Sequence, residues 1–423
     1  MLNRKIGPKI TSDFDLRIRN VSEHRLHNDF EIYELNSGTQ EIIKIELVIR
    51  AGRVNESKPA VSKAAIKLLR EASKSMNAEE TANFFDFYGS VFKTESGMEY
   101  SSISLICLNK HFNELFPVWL EGFLNPEYGQ EELSKYKELN SKKLLDQLSK
   151  NDVIAYRSFT ETLFGSHHPY GYNTEAGDIL SIQTEDLISY KGANCSLANA
   201  FLVLSGKYDD RIRDQIFEAF SNLALGQKAV KPEFPSPSNA TGEFRIRTNN
   251  ELQTNLKLGQ IWVPRNHPDY VGLKFLNTIL GGYFGSRLMK NIREEKGFTY
   301  GIYSAFDAWQ EEGYFYVSSD VGSDYLDQTI DEIHKEINIL KSNKIGDDEL
   351  NMVRNYLLGQ SLNLIDGPFA TAQLVKSLKA KELNMDRFEL AIEEIKSIDA
   401  QRLMDLSHQY LNTDSFTQVL VGG

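Results

Sequence analysis

The sequence contains no run of 18 apolar residues, so no segment reads as a membrane span. The charged start, residues 1–9, has no apolar core behind it. As written it is not a secretory signal, which makes a cytoplasmic location the expectation and leaves a periplasmic one open. Cysteine is scarce. Cys107 and Cys195 stand far apart in apolar surroundings and read as buried thiols, not as a disulfide framework or a metal site. Positive charge is in deficit: 47 Lys and Arg face 59 Asp and Glu, and the net charge of −12 argues against nucleic acid as a partner. There are only eight histidines, and no two have the i, i+4 spacing of a helical metal pair. His24 and His27 precede the first core segment, His167 and His168 read as a surface loop, and His111, His267, His334 and His408 are isolated.

What is present describes a globular chain. Apolar residues make up 41% and charged residues 25%. A length of 423 residues exceeds one ordinary core and suits two domains. Residues 41–50, EIIKIELVIR, alternate with Ile43, Ile45, Leu47 and Ile49 on one face and Lys44 and Glu46 on the other, the pattern of a strand packed on one side. Residues 61–76 carry an apolar helical stripe of Val61, Ala64, Ala65, Leu68, Leu69 and Ala72. Further helices are expected over 78–88, 112–123, 131–148 and 151–164, with strands over 90–107. The chain also repeats. Residues 181–206 match 397–422 at a constant offset of 216, with Ile182/Ile398, Leu187/Leu403, Val203/Val419, Leu204/Leu420 and Gly206/Gly422 identical. Gly129, Glu132 and Leu133 likewise match Gly346, Glu349 and Leu350, at an offset of 217. Two copies of one α+β unit are therefore expected, over 1–227 and 244–423. They are joined by a Pro-rich linker, 228–243, that contains KAVKPEFPSPSNAT.

One stretch of the second copy carries chemistry: residues 285–304, GSRLMKNIREEKGFTYGIYS. Leu288 and Ile292 share a helical face, Lys296 and Gly297 form a basic last turn with a C-cap glycine, and an aromatic strand starts at Phe298. The turn can bring the Arg293 guanidinium and the Tyr300 phenol to one place, with Tyr303 as the fallback on the opposite strand face. Gly281, Gly282 and Gly285 before it read either as a flexible loop or as a tight connection between helices. The stretch resembles the C-terminal-domain signature of the pitrilysin family of inverzincin metallopeptidases, which includes insulysin and the mitochondrial processing peptidases. In that family an Arg and, seven residues later, a Tyr contact substrate near the scissile bond. The resemblance implies substrate binding by Arg293 and Tyr300. It also implies an α+β clamshell of two homologous units, each a mostly antiparallel sheet with helices packed on one face.

Active members of that family hold zinc with H-x-x-E-H on the first long helix and a further Glu on a later one. Two His one turn apart offer imidazole nitrogens, and the Glu between them acts as general base. Counting back from Met76-Asn77-Ala78-Glu79-Glu80 places the motif on Lys63-Ala64-Ala65-Ile66-Lys67. Both His positions are then Lys63 and Lys67, the base position is Ile66, and the later Glu falls near 143–145, with Glu138 and Asp146 the nearest carboxylates. No metal ligand and no catalytic residue is expected in this chain on its own. The resemblance implies the type of subunit that lacks zinc and supplies the Arg/Tyr pair to a homologous zinc-bearing partner, with zinc in that partner and a peptide as substrate. The alternatives are a structural or peptide-binding subunit with no role in proteolysis and, for the isolated chain, a homodimer.

Overall fold

The computed structural model describes residues 15–248 and 252–423. Eleven strands among the described residues form two sheets. The first contains β1 (Ser22–Arg25), β2 (Glu31–Asn36), β3 (Ile42–Ile49), β4 (Val91–Ser96), β5 (Ser101–Leu108) and β6 (Ala200–Gly206), in the order β1-β2-β6-β3-β5-β4. The second contains β7 (Gly242–Arg247), β8 (Gln253–Trp262), β9 (Thr299–Ala308), β10 (Gly313–Gly322) and β11 (Thr417–Gly422), in the order β7-β11-β8-β10-β9. β2 runs parallel to β6 and β7 parallel to β11; all other neighbours are antiparallel. From β2 onward the two sheets correspond strand for strand, with β4 and β9 as equivalent edges. Residues 224–241, with their prolines, carry neither helix nor strand.

The helix expected over 61–76 ends at Leu68. The backbone groups that would continue it are taken elsewhere: Glu127 N donates to Ala72 O at 2.9 Å, Lys74 N to Asn125 O at 3.3 Å, and Ser73 N to Met76 O at 2.9 Å. The next helix, Ala78–Phe87, begins at a reciprocal cap. Asn77 Oδ1 accepts from Glu80 N at 3.0 Å, and Glu80 Oε2 accepts from Asn77 N at 2.9 Å. The π-type hydrogen bond from Lys296 N to Asn291 O, 3.1 Å, closes helix Met289–Glu295, where an ordinary α-helical end was expected.

Each half lends one helix to the other half's sheet. Helix Asn151–Phe164 lies on β11 and β8, and Ala155, Phe159, Leu163 and Phe164 pack there with Tyr314, Tyr316, Val419 and Val421. Helix Gly367–Ala380 lies on β6, β2 and β3, and Ala372 and Val375 pack with Tyr33, Leu35, Val48, Phe201 and Val203. Burying a side chain the size of Phe159 contributes on the order of 1.5–3 kcal/mol, so this exchange ties the halves together.

The exchange also corrects the one-sided reading of 41–50. The Glu46 face of β3 is covered, and Glu46 is only 3% exposed. Its Oε1 accepts from Lys376 Nζ at 2.8 Å and from Ser102 Oγ at 3.0 Å, and Lys44 Nζ lies 2.7 Å from its Oε2. Lys376, 1% exposed, also approaches Glu95 Oε2 at 3.4 Å. Both cysteines are buried, and burial pushes each thiol up to about 12. The expected surface loop at 167–168 is only half at the surface: His168 is buried among Phe164, Tyr170 and Phe234, and its Nδ1 accepts from Tyr170 N at 3.0 Å. No helix among the described residues is long and apolar enough to cross a membrane.

Candidate functional site

Gly297, at φ 69°, turns the chain from helix Met289–Glu295 into β9, as the basic last turn and glycine led one to expect. β9 then contains a bulge. Thr299 pairs with Val321 and Ile302 with Ser319, so Tyr300 and Gly301 together stand opposite Asp320. Side-chain hydroxyls satisfy the interrupted ladder: Thr299 Oγ1 donates to Asp320 O at 2.6 Å and accepts from Gly301 N at 3.1 Å, and Ser319 Oγ donates to Gly301 O at 3.0 Å. The extra residue changes the parity of the strand. In a regular strand Tyr300 and Tyr303 would point to opposite faces; here both line the same cleft.

Two clefts meet at Tyr300, which is 93% exposed. One, of about 720 Å³, is lined by Tyr283, Phe284, Tyr300, Tyr303 and Asp320. The other, of about 780 Å³, is lined by Arg293, Phe298, Tyr300, Asp320 and Tyr325. The structure thus places Arg293 and Tyr300 on one cleft. The guanidinium of Arg293 lies 4.7 Å from the centre of the Phe284 ring and makes no ion pair among the described residues. The neighbouring Arg287 instead takes the bidentate carboxylate partner, Glu349, at 2.9 and 2.7 Å. Phe298 stacks on Tyr325 at 5.0 Å and fixes the turn. Phe284, Tyr303 and Tyr325 are exposed beside Tyr300, an unusual concentration of large apolar side chains at one surface. Sequence reasoning named Tyr303 only as a fallback and missed Asp320, Phe284 and Tyr325. The bulge that gathers them rests on Thr299 and Ser319, which have no spacing signal.

Gly281 and Gly282 belong to a packed helix end, not to a loose loop. Both donate to Asn277 O at 3.0 Å, and a Cβ on Gly281 would lie 2.5 Å from Ser304 N. The close approach anchors helix Tyr270–Leu280 to β9 behind the two clefts.

The helix Val61–Leu68 places its motif positions differently. Lys63 and Lys67 are exposed one turn apart, and Ile66, 1% exposed, points into the first core. Burial and the nearby Arg70 lower the pKa of Lys67. A third cleft, of about 410 Å³, has Lys63 on one wall and Tyr136, Asn140 and Lys143 of helix Gln130–Gln147 on another. Lys143 and Leu144 occupy the stretch where a further ligand would fall. Glu138 pairs with Lys142 at 2.6 Å and does not line the cleft. Glu56 is the only His, Cys, Asp or Glu side chain lining it, and its carboxylate already accepts from Ala60 N at 3.2 Å, Ser62 N at 2.9 Å and the Tyr172 hydroxyl. Among the described residues no three such side chains group as a metal requires. The residues present do not fit a zinc ion. This cleft shares no lining residue with the two at Tyr300.

Residues 181–357, a span that includes Arg293 and Tyr300, match the protein-family model described as the peptidase M16 inactive domain. Over that span the chain is similar to the peptidase M16 family. The chain is 22% identical over 405 residues to a Bacillus subtilis protein named uncharacterized zinc protease YmxG, an alignment covering 93% of this chain and 96% of that one. It is 25% identical over 267 residues to a Helicobacter pylori protein named non-peptidase homolog YmxG, covering 61% of each. In fold it is similar to the crystal structure of a peptidase M16 inactive domain from Pseudomonas fluorescens, with a TM-score of 0.85, 21% identity, and 95% and 98% of the two chains covered. A protease from Helicobacter pylori gives the same TM-score at 16% identity, with 95% and 99% covered.

Proposed function

We propose that this chain is an M16-type non-catalytic partner subunit of a two-subunit zinc peptidase. It binds peptide and stabilises the reacting carbonyl while a homologous chain holds the zinc. The observation that carries this reading is the Tyr300 phenol. It stands exposed at the meeting of two clefts, on an edge strand, with the Arg293 guanidinium, which has no ion pair among the described residues, in one of them. β10 is the one strand paired with β9 among the described residues, so the outer edge of β9, apart from Ser304, whose N–H donates to Gly281 O at 3.1 Å and whose carbonyl accepts from Asn277 Nδ2 at 3.4 Å, can accept an extended peptide as a further strand. Backbone pairing of that kind binds many sequences, and the aromatic walls at Phe284, Tyr303 and Tyr325 favour apolar side chains. Arg293 orients the peptide backbone. Tyr300 donates a hydrogen bond toward the carbonyl whose oxygen becomes negative during attack, and a zinc held by the partner chain would supply the activated water. The misfit between zinc and the Lys63, Ile66, Lys67 and Lys143 positions supports assigning the metal to another chain.

The test is zinc content and cleavage of an unstructured peptide, measured for this chain alone and after mixing with a homologous chain carrying an intact H-x-x-E-H. The reading expects no zinc and no cleavage alone, a stable heterodimer, and chelator-sensitive cleavage only in the mixture. Cleavage by the zinc-bearing chain that does not change on adding this one rejects it. The name of the Helicobacter pylori relative, non-peptidase homolog, favours a second reading, peptide binding with no role in cleavage. That reading expects peptide binding by this chain and no rate effect in the mixture.

A further inference from the structure

The cleft beside helix Val61–Leu68 has an excess of unspent positive charge. Arg53, Lys63 and Lys143 line it, and Glu56 is the one acidic residue among its walls. Glu56 is already committed. Ala60, the residue before the helix, has no capping side chain, and the Glu56 carboxylate takes its place by accepting from Ala60 N and Ser62 N. Among the described residues Lys63 and Lys143 make no ion pair. Arg53 lies over the Tyr172 ring at 3.9 Å and donates through Nη2 to Tyr172 O, but its Nε is buried with no hydrogen-bond partner among the described residues. Tyr136, almost buried, adds a phenol hydroxyl that also has no partner among the described residues. Two lysines, an arginine and a tyrosine therefore line one cavity, in a chain whose net charge is −12.

We propose that this cavity is a carboxylate-binding site, occupied by an acidic side chain or the C-terminal carboxylate of a peptide. All four groups are donors, and an ionised carboxylate is acceptor-only with about four lone-pair positions. Charge-assisted bonds from lysine and arginine to such a group are the strong ones. A phosphate fits less well, because phosphate sites are built on free backbone N–H groups at a helix N-terminus and Glu56 has taken those here. The positions where the family's motif would place metal ligands thus hold the opposite charge and select the opposite kind of guest.

The experiment is calorimetric titration of the isolated full chain with four probes. The first is an acetylated, amidated tripeptide with a central glutamate. The second is an acetylated trialanine with a free C-terminal carboxylate. The third is the amidated trialanine, and the fourth is inorganic phosphate. One of the first two is expected to bind at least tenfold more tightly than the third, and the stronger of them identifies the source of the carboxylate. Binding should weaken with added salt. It should fall to the level of the third probe in Lys63→Met/Lys143→Met, and persist in Lys63→Arg/Lys143→Arg. Both lysines are at the surface, and an unchanged melting temperature in each variant separates lost binding from lost fold. Equal binding of all three peptides, carboxylate binding unaffected by the methionine pair, or tighter binding of phosphate overturns the proposal. The assay contains no zinc-bearing chain and reads no cleavage, so its outcome is independent of the partner-subunit reading.

Discussion

Replacing Lys376 with methionine removes a charge from the inside of the molecule while keeping most of the side-chain stem. Lys376 sits on helix Gly367–Ala380, which crosses to the first sheet, and its Nζ is 2.8 Å from Glu46 Oε1. Breaking a buried ion pair from one side costs about 3–5 kcal/mol, because the other charge is left behind. Lys44 remains 2.7 Å from Glu46 and Ser102 remains 3.0 Å away, so the loss should sit at the lower end, about 3 kcal/mol. For halves of this size that corresponds to a fall in Tm on the order of 6–12 °C. Removing both charges, in Lys376→Met/Glu46→Gln, should restore at least half of the loss. The pH dependence has a definite sign. Burial raises the Glu46 pKa, but Lys376 and Lys44 outweigh it and hold the carboxyl below its usual value. Its contribution is therefore present above the unfolded value of about 4.3 and disappears as pH falls through the folded one. Burial opposes the charge on Lys376, but Glu46 and Glu95 hold its pKa above normal. Its contribution is present below about 10.4 and is lost as pH rises through the folded value. Thermal melts followed by circular dichroism from pH 3 to 11 read all of this. A single variant within about 1 kcal/mol of the parent at pH 7, or a double variant as unstable as the single, refutes the reasoning.

Three further outcomes follow from buried positions. Lys257 is buried beside Ser318 and the Tyr316 ring, and burial lowers its pKa to about 8. The unfolded chain therefore binds the extra proton between about pH 8 and 10.4. Stability should rise across that window by up to about 3 kcal/mol, and Lys257→Met should remove this rise in urea melts. Gly281→Ala forces a Cβ to within 2.5 Å of Ser304 N, and calorimetry should find the second half destabilised by about 1–3 kcal/mol. Restoring the motif's base with Ile66→Glu places a carboxyl in the first core; a thermal melt should show a loss of several kcal/mol, about 3 or more, with no gain of zinc by elemental analysis.

The elements with strong local signals were legible. Helix Asn151–Phe164 begins and ends where its periodicity and Gly165 place it, and Gly297 terminates its helix with positive φ. The constant offset between 181–206 and 397–422 corresponds to the matching strand orders of the two sheets. What was not legible depends on distant partners. Glu46 looked solvent-facing because the residue that buries it, Lys376, lies 330 positions away. Asn151–Phe164 reads as an ordinary amphipathic helix, and nothing in its pattern says that its apolar face belongs to β8 and β11. At the candidate site, Arg293 and Tyr300 were singled out by the resemblance of residues 285–304 to the pitrilysin signature, with a turn that can bring them together. Their surroundings were not, because a single bulged residue reverses the strand parity that sequence reasoning assumes. The helix from 61 was drawn too long because Leu69 and Ala72 continue its stripe, although the backbone of Ala72 and Lys74 is paired with Glu127 and Asn125.

The most direct measurement is kcat/KM of the reconstituted pair with Tyr300→Phe in this chain, against a peptide cleaved by the parent pair. Removing one donor to a developing oxyanion costs about 2.7–4 kcal/mol, so a fall of roughly 100-fold or more is predicted, carried mainly by kcat. The pair must remain assembled and its zinc-bearing chain fully loaded. A change within about threefold would take the Tyr300 hydroxyl out of the reaction and contradict the account, since a working oxyanion donor cannot be removed so cheaply.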